Sequence, residues 1–150
     1  MAVKGHKAPQ VFFGAVYFRK SNPPKSDWER DFKQAAADGH NLFRHWVPWG
    51  AVEVAPGRYD WDDYDRILDL SAKHRIKAVL AEIGLNVPEW FAEKNPGLAR
   101  EHVDGSKRRS EMHGSCVTGG NLWVCLDQKE TRDAVGRFLT TMAHRYKDHP

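Results

Sequence analysis

Short apolar runs and amphipathic segments alternate along the chain in one repeating order. The runs begin near Val11, Asn41 and Ile76, about 30 to 35 residues apart, and a segment with helical spacing follows each of them. This length is typical of a βα unit. Consecutive βα units require parallel strands joined by right-handed crossovers. The pattern therefore predicts an α/β fold with parallel strands and without a hairpin.

The same pattern gives approximate bounds for each element. We predict strands over residues 11–18, 41–46 and 76–83, and helices that begin near Ser26, Trp61 and Lys129. The first run is apolar without interruption, which predicts a strand buried on both faces. Ser26 and Glu29 have the spacing of a capping box, and Gly39 is placed to end the first helix. One face of the second helix carries Tyr64, Ile67, Leu68 and Ser71.

The connections between these elements favour one of two architectures, an open doubly wound sheet or a (β/α)8 barrel. No glycine-rich phosphate turn follows the first strand. The segments after the strands are long and rich in aromatic, proline and polar residues, whereas the links DGHN and KHRI from helix to strand are short. This asymmetry is typical of a barrel whose site lies at the carboxyl ends of its strands. Because a complete barrel takes about 250 residues, we predict a partial (β/α)8 TIM barrel, about the first three βα units, over residues 1–150.

Composition and charge exclude several classes of protein. The 150 residues are 41% hydrophobic and 29% charged, with a formal net charge of +3 that is spread along the chain. This balance predicts no nucleic-acid partner, because such proteins carry a basic stripe on one face. No apolar run reaches the roughly 20 residues of a membrane span, and residues 1–10 lack the apolar core of a secretory signal. We therefore expect a cytoplasmic protein without a membrane partner.

Cysteine usage predicts neither a metal site nor another cofactor. Cys116 and Cys125 form no CxxC pair, and their spacing from His102 and His113 matches no common zinc motif. We expect both to be buried or free thiols in a reducing compartment. The open sheet edges of a partial barrel favour self-association, so a homo-oligomer is also expected.

The order of residues over 27–91 resembles the start of the catalytic barrel of glycoside hydrolase family 42, the β-galactosidases. The residues that carry this resemblance are Arg44, Trp49, Glu53, Gly57, Tyr59, Asp60, Pro88 and Trp90, and the likeness extends over residues 13–150. Two departures leave the sugar open: RHWVPW lacks the family's glutamate between arginine and tryptophan, and Cys116 replaces an arginine.

The resemblance implies a β-galactosidase-like glycoside hydrolase that cleaves terminal β-glycosidic bonds of a carbohydrate substrate with retention. Its two catalytic carboxylates would follow the fourth and seventh strands, beyond Pro150, so we expect residues 1–150 alone to be inactive. Two alternatives remain at this point. The first is another barrel enzyme of the clan, such as a β-glucosidase, mannanase or cellulase. The second is a non-catalytic fragment that binds sugar or assembles with another chain.

Candidate substrate-binding residues are those that follow or end the predicted strands. Pyranose rings pair apolar C–H faces with hydroxyl edges, so sugar sites combine aromatic platforms with charged and amide groups. The candidates are Trp46 and Trp49 after the second strand, Glu82 and Asn86 at the end of the third, and Trp123 in a glycine-rich segment. The resemblance implies that Arg44, expected to end the second strand, lies beside the nucleophile as a supporting residue. The alternative for Trp46 and Trp49 is that one of them packs under the loop. The alternative for Arg44 is a structural ion pair, with Glu82 as its buried partner. Glu53 and Asp60 are predicted to be turn and capping residues.

Overall fold

A computed structural model describes residues 11–20, 22–83, 87–107 and 124–150. Its strands are β1 (Gly14–Arg19), β2 (Leu42–Pro48), β3 (Glu53–Ala55), β4 (Arg58–Tyr59) and β5 (Lys77–Ile83). Its helices are α1 (Trp28–Ala37), α2 (Trp49–Val52), α3 (Asp62–Lys73), α4 (Glu89–Lys94) and α5 (Lys129–Tyr146), with a 3₁₀ turn at Pro96–Leu98. None of the helices in these ranges has both the length and the apolar character that a bilayer crossing requires.

The main sheet has three parallel strands in the order β1–β2–β5. The register places Val16 of β1 beside Arg44 of β2, and Arg44 beside Val79 of β5. The predicted parallel arrangement is confirmed for these strands. Because these three strands run in the same direction, the segments that leave β1, β2 and β5 all start at one edge of the sheet.

The two faces of this sheet differ in how far they are covered. On one face, Phe43, His45 and Val47 of β2 are buried, and Phe32 of α1 packs edge-on against Phe43. On the other face, Val16 is 53% exposed and Val79 is 43% exposed. The prediction that the first strand is buried on both faces is therefore wrong, because no described element packs against the second face.

Helix boundaries follow local sequence signals in part. Gly39, with φ of +86°, lies just beyond α1 and confirms the predicted end of that helix. The capping box is wrong: Asp27, and not Ser26, is the N-cap residue, and the Ser26 hydroxyl donates to the Asp27 carboxylate. In α3 the predicted apolar face is confirmed, since all four of its members are buried.

A hairpin interrupts the βα order, which corrects the prediction that the chain has none. Strands β3 and β4 pair antiparallel, with Glu53 opposite Tyr59. The turn between them contains Gly57 with φ of +71°, a conformation that glycine adopts without steric cost. Because the two strands have only 3 and 2 residues, they leave no alternating pattern that sequence inspection could detect.

His45 is a fully buried histidine at the centre of β2. Its ring lies near those of Tyr17, Phe32 and Phe43, with centroid separations of 6.2, 6.4 and 6.2 Å. Neither ring nitrogen has a hydrogen-bond partner among the described residues. Burial in this aromatic layer lowers the pKa of His45 from 6.5 to about 4.

This burial predicts an acid-labile fold. Above pH 6.5 His45 is neutral in both the folded and unfolded states, so its full contribution is present. As the pH falls from 6.5 towards 4, the unfolded chain gains a proton at His45 before the folded chain does. The free energy of unfolding should therefore fall by up to about 3 kcal/mol.

Urea unfolding of the purified protein between pH 7 and pH 4.5 measures this loss. His45→Leu should remove most of it, because leucine has similar volume and does not titrate. His144→Leu, at an exposed position of α5, is the matched control and should unfold like the wild type at each pH. The same pH dependence in the wild type and in His45→Leu would contradict the assignment.

Candidate functional site

The candidate site lies at the edge of the main sheet where its strands end. β1 ends at Arg19, β2 at Pro48 and β5 at Ile83, and the chain leaves all three at this carboxyl edge. Ligand sites of parallel α/β proteins lie at this edge, because the connecting segments there are free to vary while the strands fix their starting points.

Arg44 and Trp46 share the uncovered face of β2. Residues two apart in a strand point to the same side, and here Arg44 is exposed while Trp46 is half-buried. The prediction that Arg44 ends the strand is wrong: it is the third of seven residues, since pairing with β5 continues to Pro48. Trp46 likewise lies in the strand and not in a loop. Its carbonyl accepts a hydrogen bond of 2.8 Å from the Tyr64 hydroxyl of α3.

Trp49 is a core residue. It is the first residue of α2, is 1% exposed, and lies against Phe91 and Phe138 with ring centroids 5.0 and 6.0 Å away. Its indole N–H donates to the carboxylate of Glu53. No face of this ring is open to a sugar, so the burial argues against Trp49 as a platform. It supports the segment that follows β2.

Glu53 joins three parts of the chain. It is 7% exposed; one carboxylate oxygen accepts from Trp49 and the other accepts from the backbone N–H of Gly57 at 2.8 Å. Its carbonyl accepts from the indole N–H of Trp90 in α4 at 3.0 Å. The prediction of a simple turn residue missed this role. The one sequence signal is spacing, because Trp49, Glu53 and Gly57 lie at intervals of four residues.

The segment after β1 is held by ion pairs. Lys20 pairs with Asp60, and Lys25 pairs with Asp63 in the first turn of α3. The hydrogen bond from Lys20 is the main reason that the pKa of Asp60 lies below its usual value. The Trp28 indole also donates to the carbonyl of Pro23 at 2.8 Å. These contacts hold this segment beside the start of α3.

Comparison with known proteins decides the family. The family model of glycoside hydrolase family 42, described as β-galactosidase, matches residues 17–150. This chain belongs to glycoside hydrolase family 42. The match confirms the resemblance found in the sequence.

Curated relatives and solved structures match nearly the whole of this chain, and the match occupies only a part of each relative's length. β-Galactosidase Bga of Halorubrum lacusprofundi is 28% identical over 91% of this chain and 18% of that protein. β-Galactosidase LacZ of Heyndrickxia coagulans is 25% identical over 96% of this chain and 20% of that protein.

The solved structures show the same local architecture. The β-galactosidase from Halorubrum lacusprofundi matches with a TM-score of 0.77 and 27% identity over 93% of this chain and 20% of that chain. That from the psychrophilic Marinomonas ef1 matches with a TM-score of 0.74 and 26% identity over 91% and 20%. The described chain therefore spans about a fifth of the length of these relatives, and its parallel α/β arrangement is that of the matching portion.

Two of the predicted substrate-binding residues, Asn86 and Trp123, lie outside the described residues. Cys116 and His113, considered above as metal ligands, lie outside them as well. Glu82 pairs with Val47 through its position in β5. Among the described residues, no three His, Cys, Asp or Glu side chains form a group that could hold a metal ion.

One cavity of the described part includes a predicted substrate-binding residue. It has a volume of about 560 Å³, runs along β1 and is lined by Val16, Tyr17, Phe18, Asn22, Pro23, Asp31 and Trp46. The Tyr17 hydroxyl donates to the Asp31 carboxylate at 3.2 Å, and burial together with this carboxylate raises the pKa of the phenol. Of the described candidates, Trp46 is thus the aromatic residue with a surface available to a ligand.

The placement of Trp49 predicts a large loss of stability on truncation. Trp49→Ala should lower the free energy of unfolding by about 3–5 kcal/mol, because it leaves a cavity against Phe91 and Phe138 and an unpaired buried carboxylate oxygen. Val54→Ala, at a position 45% exposed in β3, is the matched control and should change it by about 0.5 kcal/mol or less. Urea unfolding monitored by circular dichroism measures both. If Trp49→Ala left the free energy of unfolding nearly unchanged, Trp49 would again be a candidate platform for a sugar ring.

Proposed function

We propose that the protein carrying this chain is a β-galactosidase-like glycoside hydrolase that cleaves terminal β-glycosidic bonds with retention. Residues 1–150 would form the first part, about three βα units, of its (β/α)8 catalytic barrel. The observation that supports this most strongly is the family 42 match over residues 17–150. The three parallel strands with a common carboxyl edge are consistent with it.

The proposed substrate is a carbohydrate that lies across the uncovered face of β2 near its carboxyl end. Trp46 offers an indole surface to the apolar face of a pyranose ring, and the exposed Arg44 lies two residues away on the same face. Glu82, Asn86 and Trp123 stay proposed substrate-binding residues. The cytoplasmic location and the homo-oligomeric state stay predictions.

Arg44 is proposed to act through another group. Its guanidinium forms two parallel hydrogen bonds with a carboxylate when the geometry permits, which keeps that carboxylate ionised and oriented. In the proposed enzyme this carboxylate is the nucleophile, which would come from a later strand. Arg44 is thus a positioning residue of the proposed reaction.

The activity is tested with the protein that carries this chain. It should release nitrophenol from nitrophenyl β-galactoside, and proton NMR should detect the β-anomer of the sugar as the first product, because two displacements retain configuration. Residues 1–150 alone should show no turnover. Turnover by residues 1–150 alone would place the catalytic pair within this chain, and no cleavage of β-galactoside, β-glucoside or β-mannoside by the whole protein would refute the proposal.

The role of Arg44 is tested by Arg44→Lys in the same protein. Lysine keeps the charge but loses the two-pronged geometry, so kcat/KM should fall about 10- to 100-fold. Arg66→Lys, at an exposed position of α3, is the matched control and should retain wild-type kinetics. Wild-type kcat/KM in Arg44→Lys would contradict the positioning role.

A further inference from the structure

We propose that Glu53 is a positioning residue that fixes the spacing between the segment after β2 and the segment after β5 at the substrate site. The inference rests on the proposed glycosidase function, because it assigns part of the substrate affinity to this spacing. It concerns a residue that is not among those that line the cavity along β1.

The first step is the chemistry of the buried carboxylate. Glu53 is 7% exposed and uses its two oxygens for two different donors, the Trp49 indole N–H and the Gly57 backbone N–H. An ionised carboxylate has acceptors on both oxygens, whereas a glutamine amide has an acceptor on one side and a donor on the other. Only the carboxylate satisfies both N–H groups at once. This requirement fixes α2 relative to the turn of the hairpin.

The second step links this unit to the next strand. The Glu53 carbonyl accepts from the Trp90 indole N–H at 3.0 Å. Glu53 therefore binds Trp49, four residues before it, Gly57, four residues after it, and Trp90 in α4. The rings reinforce the contact: Trp49 lies edge-on to Trp90 at 6.4 Å and tilted against Phe91 at 5.0 Å. Since α2 follows β2 and α4 follows β5, this contact spans the two neighbouring segments of the carboxyl edge.

The third step concerns the effect on the reaction. In the proposed enzyme the catalytic carboxylates belong to other strands, so a change in spacing between these two segments alters contacts with the sugar and leaves the reacting groups in place. Such a change weakens binding of the substrate and of the transition state equally, which raises KM while kcat stays close to that of the wild type.

The test is a double-mutant cycle in the protein that carries this chain. The variants are Glu53→Gln, Trp49→Phe and their combination, with Glu93→Gln at an exposed position of α4 as the matched control. Glu53→Gln should raise KM for nitrophenyl β-galactoside about three- to tenfold, the effect of one lost buried hydrogen bond, with kcat changed less than about twofold. In the Trp49→Phe background the indole N–H is absent, so the amide oxygen of the glutamine can accept from the Gly57 N–H. Adding Glu53→Gln to Trp49→Phe should therefore raise KM only slightly further.

The outcomes separate the two proposals. A wild-type protein that cleaves none of the nitrophenyl β-galactoside, β-glucoside and β-mannoside refutes the glycosidase function. An active wild type with unchanged KM in a folded Glu53→Gln variant, a loss in kcat alone, or additive effects in the double variant refutes the positioning role. If Glu53→Gln does not fold, Trp49→Phe decides alone, since it removes the indole N–H donor and keeps an aromatic side chain: a raised KM supports the role and an unchanged KM refutes it.

Discussion

Strand β2 is paired with a parallel neighbour on each edge, β1 on one side and β5 on the other. The register of this pairing determines which face the helices cover and where the segments after the strands begin. Seven consecutive residues of β2 match seven of β5, from Leu42 beside Lys77 to Pro48 beside Ile83. A slip of one residue would exchange the two faces of the strand, which would bury Arg44 under the helices and expose His45. The uncovered face, the covered face and the edge where α2 and α4 begin therefore all depend on one register.

The sequence predicted those parts of the fold that local patterns determine. Apolar runs located β1, β2 and β5, and the face of α3 followed from helical spacing. What it could not predict depends on contacts far apart in the chain. An apolar run such as that of β1 has the same pattern whether one face or two are covered, and Val16 is exposed because nothing in the described part packs on it. The hairpin was missed because its strands are too short to show any period.

The site was predictable to the level of segments but not of side chains. The sequence located Arg44 and Trp46 near the carboxyl edge, yet their position within β2 depends on how far β5 continues beside it. Whether an aromatic ring is a platform or a core residue depends on what covers it. For Trp49 that includes Phe138, which lies 89 positions later, and no local signal reports such a contact.

The density of tryptophan at this edge has a structural explanation that does not require all of the rings to contact sugar. The indole N–H groups of Trp28, Trp49 and Trp90 donate to Pro23, to the Glu53 side chain and to the Glu53 carbonyl. Each ring buries a large apolar area and also satisfies a polar group of an irregular segment, two requirements that an aliphatic residue cannot meet together. Segments fixed in this way hold their shape without a regular ladder of hydrogen bonds. A binding edge gains affinity from such preorganisation, because less conformational freedom is lost when the ligand arrives. In this chain, Trp28, Trp49 and Trp90 thus act on a ligand indirectly, by holding in place the segments that border the carboxyl edge of the sheet, while Trp46 and Arg44 lie on the uncovered face of β2.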